Sequence, residues 1–204
     1  MKKKSIKKML LTTIFAAMAV ILYVFPKFPL PFFPSFLEIN FSMLPIIICG
    51  FALGPINGLT CVVLRTLIKI VLGMSSTFGV GECMDLMLGA ATVVAVSLSY
   101  NYLKIKKENV KSTVALAIGC AVWIILSVFL NIFFSIPAYT WLFFSGNKAG
   151  IIGALSVIPG VNESNYLWKY TIFAVIPFNL MLSFLVSIIT FFVYKKVKGI
   201  YEEE

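Results

Sequence analysis

Apolar residues fill most of the chain in long blocks, broken by short polar or proline-bearing stretches. Six blocks can be drawn, at residues 8–25, 41–54, 56–73, 82–103, 112–134 and 171–194. About 20 apolar residues in a helix cross a hydrocarbon core about 30 Å thick. The pattern therefore predicts an all-α integral membrane protein with six transmembrane helices. The second block has 14 residues and reaches about 21 Å at 1.5 Å per residue; it is expected to be tilted, extended by its neighbours, or partly buried among other helices. Gly54-Pro55 separates it from the third block, because proline breaks the ladder but suits the first turn of the next helix. No internal repeat, low-complexity tract or interdomain linker stands out, so residues 1–204 are read as one membrane domain.

Composition strengthens this reading. Of 204 residues, 60% are apolar, 12% charged and 15% aromatic, with a mean hydropathy of +1.00 and no histidine. A soluble domain carries about 25% charged residues, so an ordinary water-soluble fold is excluded. The net charge of +9 would suggest nucleic acid in a soluble protein, but the lysines sit at block ends. Lys2, Lys3, Lys4, Lys7 and Lys8 precede the first block; Lys104, Lys106, Lys107 and Lys111 share one loop; Lys195, Lys196 and Lys198 follow the last. These twelve face three on the other side, Lys27, Lys148 and Lys169, which predicts cytoplasmic termini by the positive-inside rule. A nucleic-acid partner is not expected. The Lys-rich start and Ala17-Met18-Ala19 imitate a signal peptide, but the apolar run continues to Phe25 and reads as an uncleaved helix. Cys49, Cys61, Cys83 and Cys120 fall singly within apolar blocks, without zinc-site spacing, and are read as small core residues.

Two outer segments are unusual. Residues 25–34 place four prolines among aromatics, predicting a stiff, preorganised segment without regular backbone pairing. Residues 135–170 are too long for a turn and carry Trp141, Phe143, Phe144, Tyr166 and Trp168, aromatics suited to a membrane interface; this segment is a candidate lid. Arg65 and Lys69 share a helical face, as do Glu82 and Asp85. Ionisable groups within a span need a partner, water or burial in the bundle. These four are expected to form one cluster near the outer half, serving either as an ion-pair clasp or as a ligand contact. Asn131, followed by Ser135, Tyr139 and Thr140, and Asn179 after Pro177 bring amides to the same outer end, where they suit either a flat ligand with a polar arm or interhelical hydrogen bonds. The sequence lacks a phosphate-binding Gly-x-x-x-x-Gly-Lys-Ser/Thr loop, so ATP hydrolysis by that route is not expected. No metal site is predicted.

These residues carry a resemblance. Residues 28–37 with their Pro-Phe pattern, Ile39-Asn40-Phe41-Ser42, Gly54-Pro55 with Gly58, Gly79-Val80-Gly81-Glu82, Leu130-Asn131, Pro137-Ala138-Tyr139-Thr140-Trp141 and Pro177-Phe178-Asn179 occur in order over most of the chain. Together they resemble the substrate-binding S-components of energy-coupling factor (ECF) vitamin transporters, most closely the riboflavin-specific ones. The resemblance implies a six-helix S-component fold in a bacterial plasma membrane. It also implies a transmembrane T-component and two cytoplasmic ATPase subunits as partners, and a vitamin as transported ligand rather than a cofactor. Its implied ligand contacts are Asn131, Asn179, Tyr139, Thr140, Trp141, Phe41 and Glu82. Thr12, Thr13, Ala16 and Ala17 on the first helix offer small residues where the family docks, or else serve ordinary packing within the chain.

The chain departs from riboflavin-binding relatives at Leu182, where they carry a lysine, and at Met43, where they carry an acid; their Glu-x-x-Lys-Asn pattern reads Val62, Arg65 and Thr66 here. The expected function is a binding subunit for riboflavin or a related flavin, itself not an enzyme. The alternatives are another vitamin or a nucleobase-like molecule, an intramembrane lipid-acting enzyme with Glu82 or Asp85 as general base, and a structural membrane protein without a ligand.

Overall fold

A computed structural model describes residues 2–73, 75 and 77–202, with side chains described between residues 6 and 196. The side chains of Lys2, Lys3, Lys4 and Lys198, used in the charge count above, lie outside the described residues. The helices in chain order are α1 (Lys2–Val24), α2 (Met43–Leu53), α3 (Pro55–Val71), α4 (Val80–Tyr102), α5 (Glu108–Leu130), α6 (Ile136–Phe144), α7 (Lys148–Ala154), α8 (Tyr166–Tyr170) and α9 (Ile176–Glu202). Four stretches are long and apolar enough to cross a membrane: Ile6–Val24, Val80–Tyr102, Glu108–Phe144 and Tyr166–Lys196.

α2 is apolar on every side, and such a helix is stable only when surrounded. It packs against α1, α3, α4 and α9, with Ile46, Ile47, Ile48, Cys49 and Phe51 all buried. The short second block is therefore a core helix. α3 is turned inside out. Its buried positions Gly58, Cys61, Val62, Arg65, Thr66 and Lys69 recur at helical spacing, while Ile56, Val63, Leu67, Ile70 and Val71 are exposed. Lipid takes the apolar face, and the bundle interior takes the charges. Leu10, Ile14 and Ile21 on α1, Ile125 and Phe129 on α5, and Phe184 and Phe192 on α9 extend the apolar exterior.

Small residues set the closest approaches, as is usual between helices in lipid. A Cβ built on Gly50 would lie 2.2 Å from Ser97 Oγ, and one on Gly58 would lie 2.7 Å from a Val93 methyl and 3.0 Å from Gly50 Cα. α2, α3 and α4 meet at this point. Cys49 and Cys61 are buried in the core as expected, but Cys83 is exposed and Cys120 half-buried, its thiol lying against Ser183 and Ser187 of α9.

The stretch from 135 to 170 is not one loop. α5 continues through a widened turn, Asn131–Ser135, into α6, and α8 continues through another, Thr171–Val175, into α9. In each, the N–H before a proline reaches five residues back: Ile136 to the Asn131 carbonyl and Ile176 to the Thr171 carbonyl. Proline has no N–H for the ordinary ladder and its ring crowds the preceding turn; widening the turn by one residue accommodates it. Both sites carry the same pattern, Ile132-Phe133-x-x-Ile136-Pro137 and Ile172-Phe173-x-x-Ile176-Pro177, a short repeat hidden within the apolar composition. α6, α7 and the following loop form a small second core around Ile136, Ile151, Leu155 and Tyr170. The proline-rich segment also differs from expectation, since Phe28–Pro29 pairs antiparallel with Glu38–Ile39, register Phe28 to Ile39, and Lys27 bridges Glu38 at 2.8 Å.

Gly58→Leu should overpack the α2/α3/α4 crossing, at about 1–3 kcal/mol. The expected result is a lower melting temperature of the detergent-purified protein, with Gly153→Ala, whose added Cβ meets nothing within 4 Å, unchanged as the control.

Candidate functional site

A cavity of about 120 Å³ opens where α1, α3, α4, α5 and α9 converge beneath the segment 36–43. One wall is apolar and aromatic, from Phe36, Leu37, Trp123, Phe178 and Leu182. The opposite wall is charged, from Tyr23, Ser42, Arg65, Lys69 and Asp85. Asn131, Ser135, Tyr139 and Asn179 bring further polar groups. Tyr139 and Asn179 each stand two residues after the proline of a widened turn, so the repeated pattern delivers one side chain from each copy of the repeat to the same space.

The charged wall is wired to its surroundings. Lys69 Nζ lies 2.5 Å from Glu82 Oε1, with both side chains almost fully buried, donates to the Tyr23 hydroxyl, and stands 3.8 Å from the Tyr23 ring centre, where the ring face attracts a cation. Glu82 Oε2 accepts from Ser75 Oγ at 2.9 Å and Thr77 Oγ1 at 3.1 Å. Those hydroxyls accept in turn from the Gly79 and Gly81 amides at the start of α4. Arg65, 2% exposed, donates to Ser42 Oγ at 2.7 Å and to the Asp85 backbone carbonyl at 3.2 Å. Ser42 Oγ donates onward to Asn40 Oδ1 at 2.7 Å.

The two amides are each held on one side. Asn131 donates to the Ser127 carbonyl at 2.8 Å and accepts from the Tyr170 hydroxyl at 2.6 Å. Asn179 donates to the Val175 carbonyl at 2.9 Å and accepts from Trp123 Nε1 at 2.9 Å. An amide has two donors and two acceptor sites, so each keeps one of both kinds for a guest.

Of the residues expected at a ligand site, Asn131, Asn179 and Tyr139 line the cavity. Four do not. Trp141 is 73% exposed, Thr140 turns its hydroxyl back to the Ile136 carbonyl, Phe41 packs against the main core, and Glu82 stands behind Lys69. The expected four-charge cluster is also divided: Lys69 and Glu82 pair, whereas Arg65 reaches the Asp85 backbone rather than its carboxylate, which has no salt-bridge partner among the described residues. Tyr23, Trp123 and Tyr170 were not singled out in the sequence. Their signal was masked, since aromatics are common throughout this chain and their polar partners lie 39 to 56 residues away. The departures Met43 and Leu182 both line the cavity.

On the first helix, Thr12 and Ala16 are buried, at 4% and 1% exposed, and the Thr12 hydroxyl lies 3.3 Å from Asn57 on α3. They serve packing within the chain, because the spacing that puts them on one face puts that face on α3. Thr13 and Ala17 remain exposed.

The family model for the ECF transporter substrate-specific component matches residues 7–194. The chain belongs to this family. It is a multi-pass membrane protein and the substrate-specific component of a transporter, not an enzyme. As an ECF substrate-specific component it is similar to the riboflavin transporter RibU of Staphylococcus aureus, 27% identical over 94% of this chain and 90% of that one. It is also similar to the riboflavin transporter FmnP of Bacillus subtilis, 24% identical over 98% and 96%. A solved structure of the S component of a bacterial ECF transporter shares the fold, with a TM-score of 0.72 at 23% identity over 98% of this chain and 99% of that one.

Removing one member of a buried ion pair strands the other, at about 3–5 kcal/mol, whereas removing both is far milder. Lys69→Met should therefore lower the melting temperature strongly, and Lys69→Met with Glu82→Gln should recover most of the loss.

Proposed function

We propose that this chain captures riboflavin at the outer face of a bacterial plasma membrane, as a single membrane domain of six spans, with α2 and α3 completing the four long ones and both termini in the cytoplasm. The carrying observation is the cavity itself. One aromatic and aliphatic wall suits a flat ring system, and two amides with spare donors and acceptors suit a polyol arm. Similarity to riboflavin transporters along nearly the whole chain supports the same ligand. Leu182 leaves the polar arm without a lysine contact, so Asn131 and Asn179 take the larger share of its recognition. Riboflavin is cargo here, not a cofactor.

The energy for release into the cell comes from elsewhere. A T-component would bind this chain in the membrane, and two ATPase subunits would hydrolyse ATP on its cytoplasmic side. The exposed Thr13 and Ala17, at i and i+4 on α1, offer the small-residue stripe on which a partner helix fits closely.

The protein purified in detergent from a vitamin-replete host should carry the visible absorption of an oxidised flavin, and mass spectrometry of the released molecule should identify riboflavin. A colourless preparation holding another vitamin or a nucleobase-like molecule would replace the ligand but keep the transport role. Asn131→Ala and Asn179→Ala should each weaken riboflavin binding by about 1–3 kcal/mol, read by quenching of flavin fluorescence; unchanged affinity in both would remove the amides from the site.

Ala17→Trp should reduce recovery of the T-component and ATPases in co-purification while leaving riboflavin affinity unchanged. Ala16→Trp, at a buried position, should instead lower the melting temperature.

A further inference from the structure

The charged wall of the cavity has a polarity that the proposed ligand can answer, and its centre is Asp85. Cavity-facing residues on α4 recur as Gly81, Met84, Asp85, Leu88 and Gly89, a helical stripe with Asp85 in its middle. Among the described residues, no cation bridges the Asp85 carboxylate. Arg65, expected from the sequence to join it in one cluster, is turned to the Asp85 backbone, Ser42 and Thr66 instead. A carboxylate facing a cavity within a membrane bundle needs a hydrogen-bond donor, and it is an acceptor only.

The cations beside it are not saturated. Arg65 has five N–H donors, of which three are engaged by Ser42, Thr66 and the Asp85 carbonyl. Lys69 has three, of which Tyr23 and Glu82 take two. Arg65 and Lys69 stand one turn apart on α3, and both line the cavity with Asp85 of α4. The wall thus holds spare donor groups together with an anionic acceptor.

Resting on the riboflavin reading, we propose that Asp85 is a specificity-determining residue that accepts the imide N–H of the ligand's ring, while spare N–H groups of Arg65 and Lys69 meet the two carbonyls flanking it. An imide edge presents acceptor, donor, acceptor, and this wall holds an acceptor and the donors that answer it. The assignment leaves Asn131 and Asn179 to the polyol arm and the aromatic wall to the ring face. It also makes a carbonyl-flanked N–H, rather than the polyol, the feature that this end of the cavity selects.

The test is a cycle of four affinities on the full chain in detergent: the unaltered protein and Asp85→Ala, each with riboflavin and with riboflavin methylated at the imide nitrogen. Asp85→Ala should weaken riboflavin binding about 10-fold to 100-fold, the range of a hydrogen bond to a charged group. The methylated ligand should bind weakly to both proteins and lose little further on substitution. An equal loss for both ligands, or no loss for riboflavin, would overturn the assignment and leave riboflavin capture standing. Failure of the unaltered protein to bind riboflavin would overturn the riboflavin reading and the assignment with it. Asp85→Asn, which keeps the side-chain volume and one acceptor oxygen, supplies the same comparison where the alanine variant does not fold, with a smaller loss for riboflavin than for alanine and the same indifference of the methylated ligand.

Discussion

Hydrocarbon offers a polar side chain no hydrogen-bond partner, and most of this architecture answers that constraint. Arg65, Thr66 and Lys69 cannot face lipid, so α3 presents Val63, Leu67 and Ile70 outward and draws its charges into the bundle. Once inside, each charge needs an answer. Glu82 answers Lys69, and Glu82 is in turn steadied by Ser75 and Thr77, whose hydroxyls receive the first amides of α4. One buried pair thereby connects α3, the α3–α4 loop and the start of α4, and it fixes the charged wall of the cavity relative to Tyr23 on α1.

The opposite wall depends on two prolines. Pro137 and Pro177 each widen the turn before them without ending the helix, so a long apolar helix changes the angular phase of its side chains partway along. Tyr139 and Asn179 reach the cavity through that change of phase. The apolar content on both sides keeps the helices in lipid, while the local disturbance places polar atoms where the interior is open.

Much of this was legible beforehand, for identifiable reasons. The long helices follow from hydropathy, because lipid imposes a length requirement that composition reports directly. The convergence of Asn131, Tyr139 and Asn179 was legible from their polarity against an apolar background. Other features were not. The four-residue spacing of Thr12 with Ala16 and of Thr13 with Ala17 is the same, and only the packing of α3 decides which pair is covered. Arg65 and Asp85 have complementary charges, yet Ser42, itself donating to Asn40, takes the guanidinium through a segment distant in sequence. The stretch 135–170 was marked by its length and aromatics, but its ends belong to helices whose turns the prolines widen without ending them. Trp123 and Tyr170 look like two more interfacial aromatics until Asn179 and Asn131 are seen against them.

That last arrangement bears on the thermodynamics of capture. Freezing a flexible side chain on binding opposes association by about 0.5–1.5 kcal/mol. Trp123 and Tyr170 have already fixed both carboxamides, including which end of each is oxygen and which is nitrogen. The entropy of ordering them belongs to folding rather than to the encounter with a guest. A guest therefore meets two amides whose direction is set before it arrives.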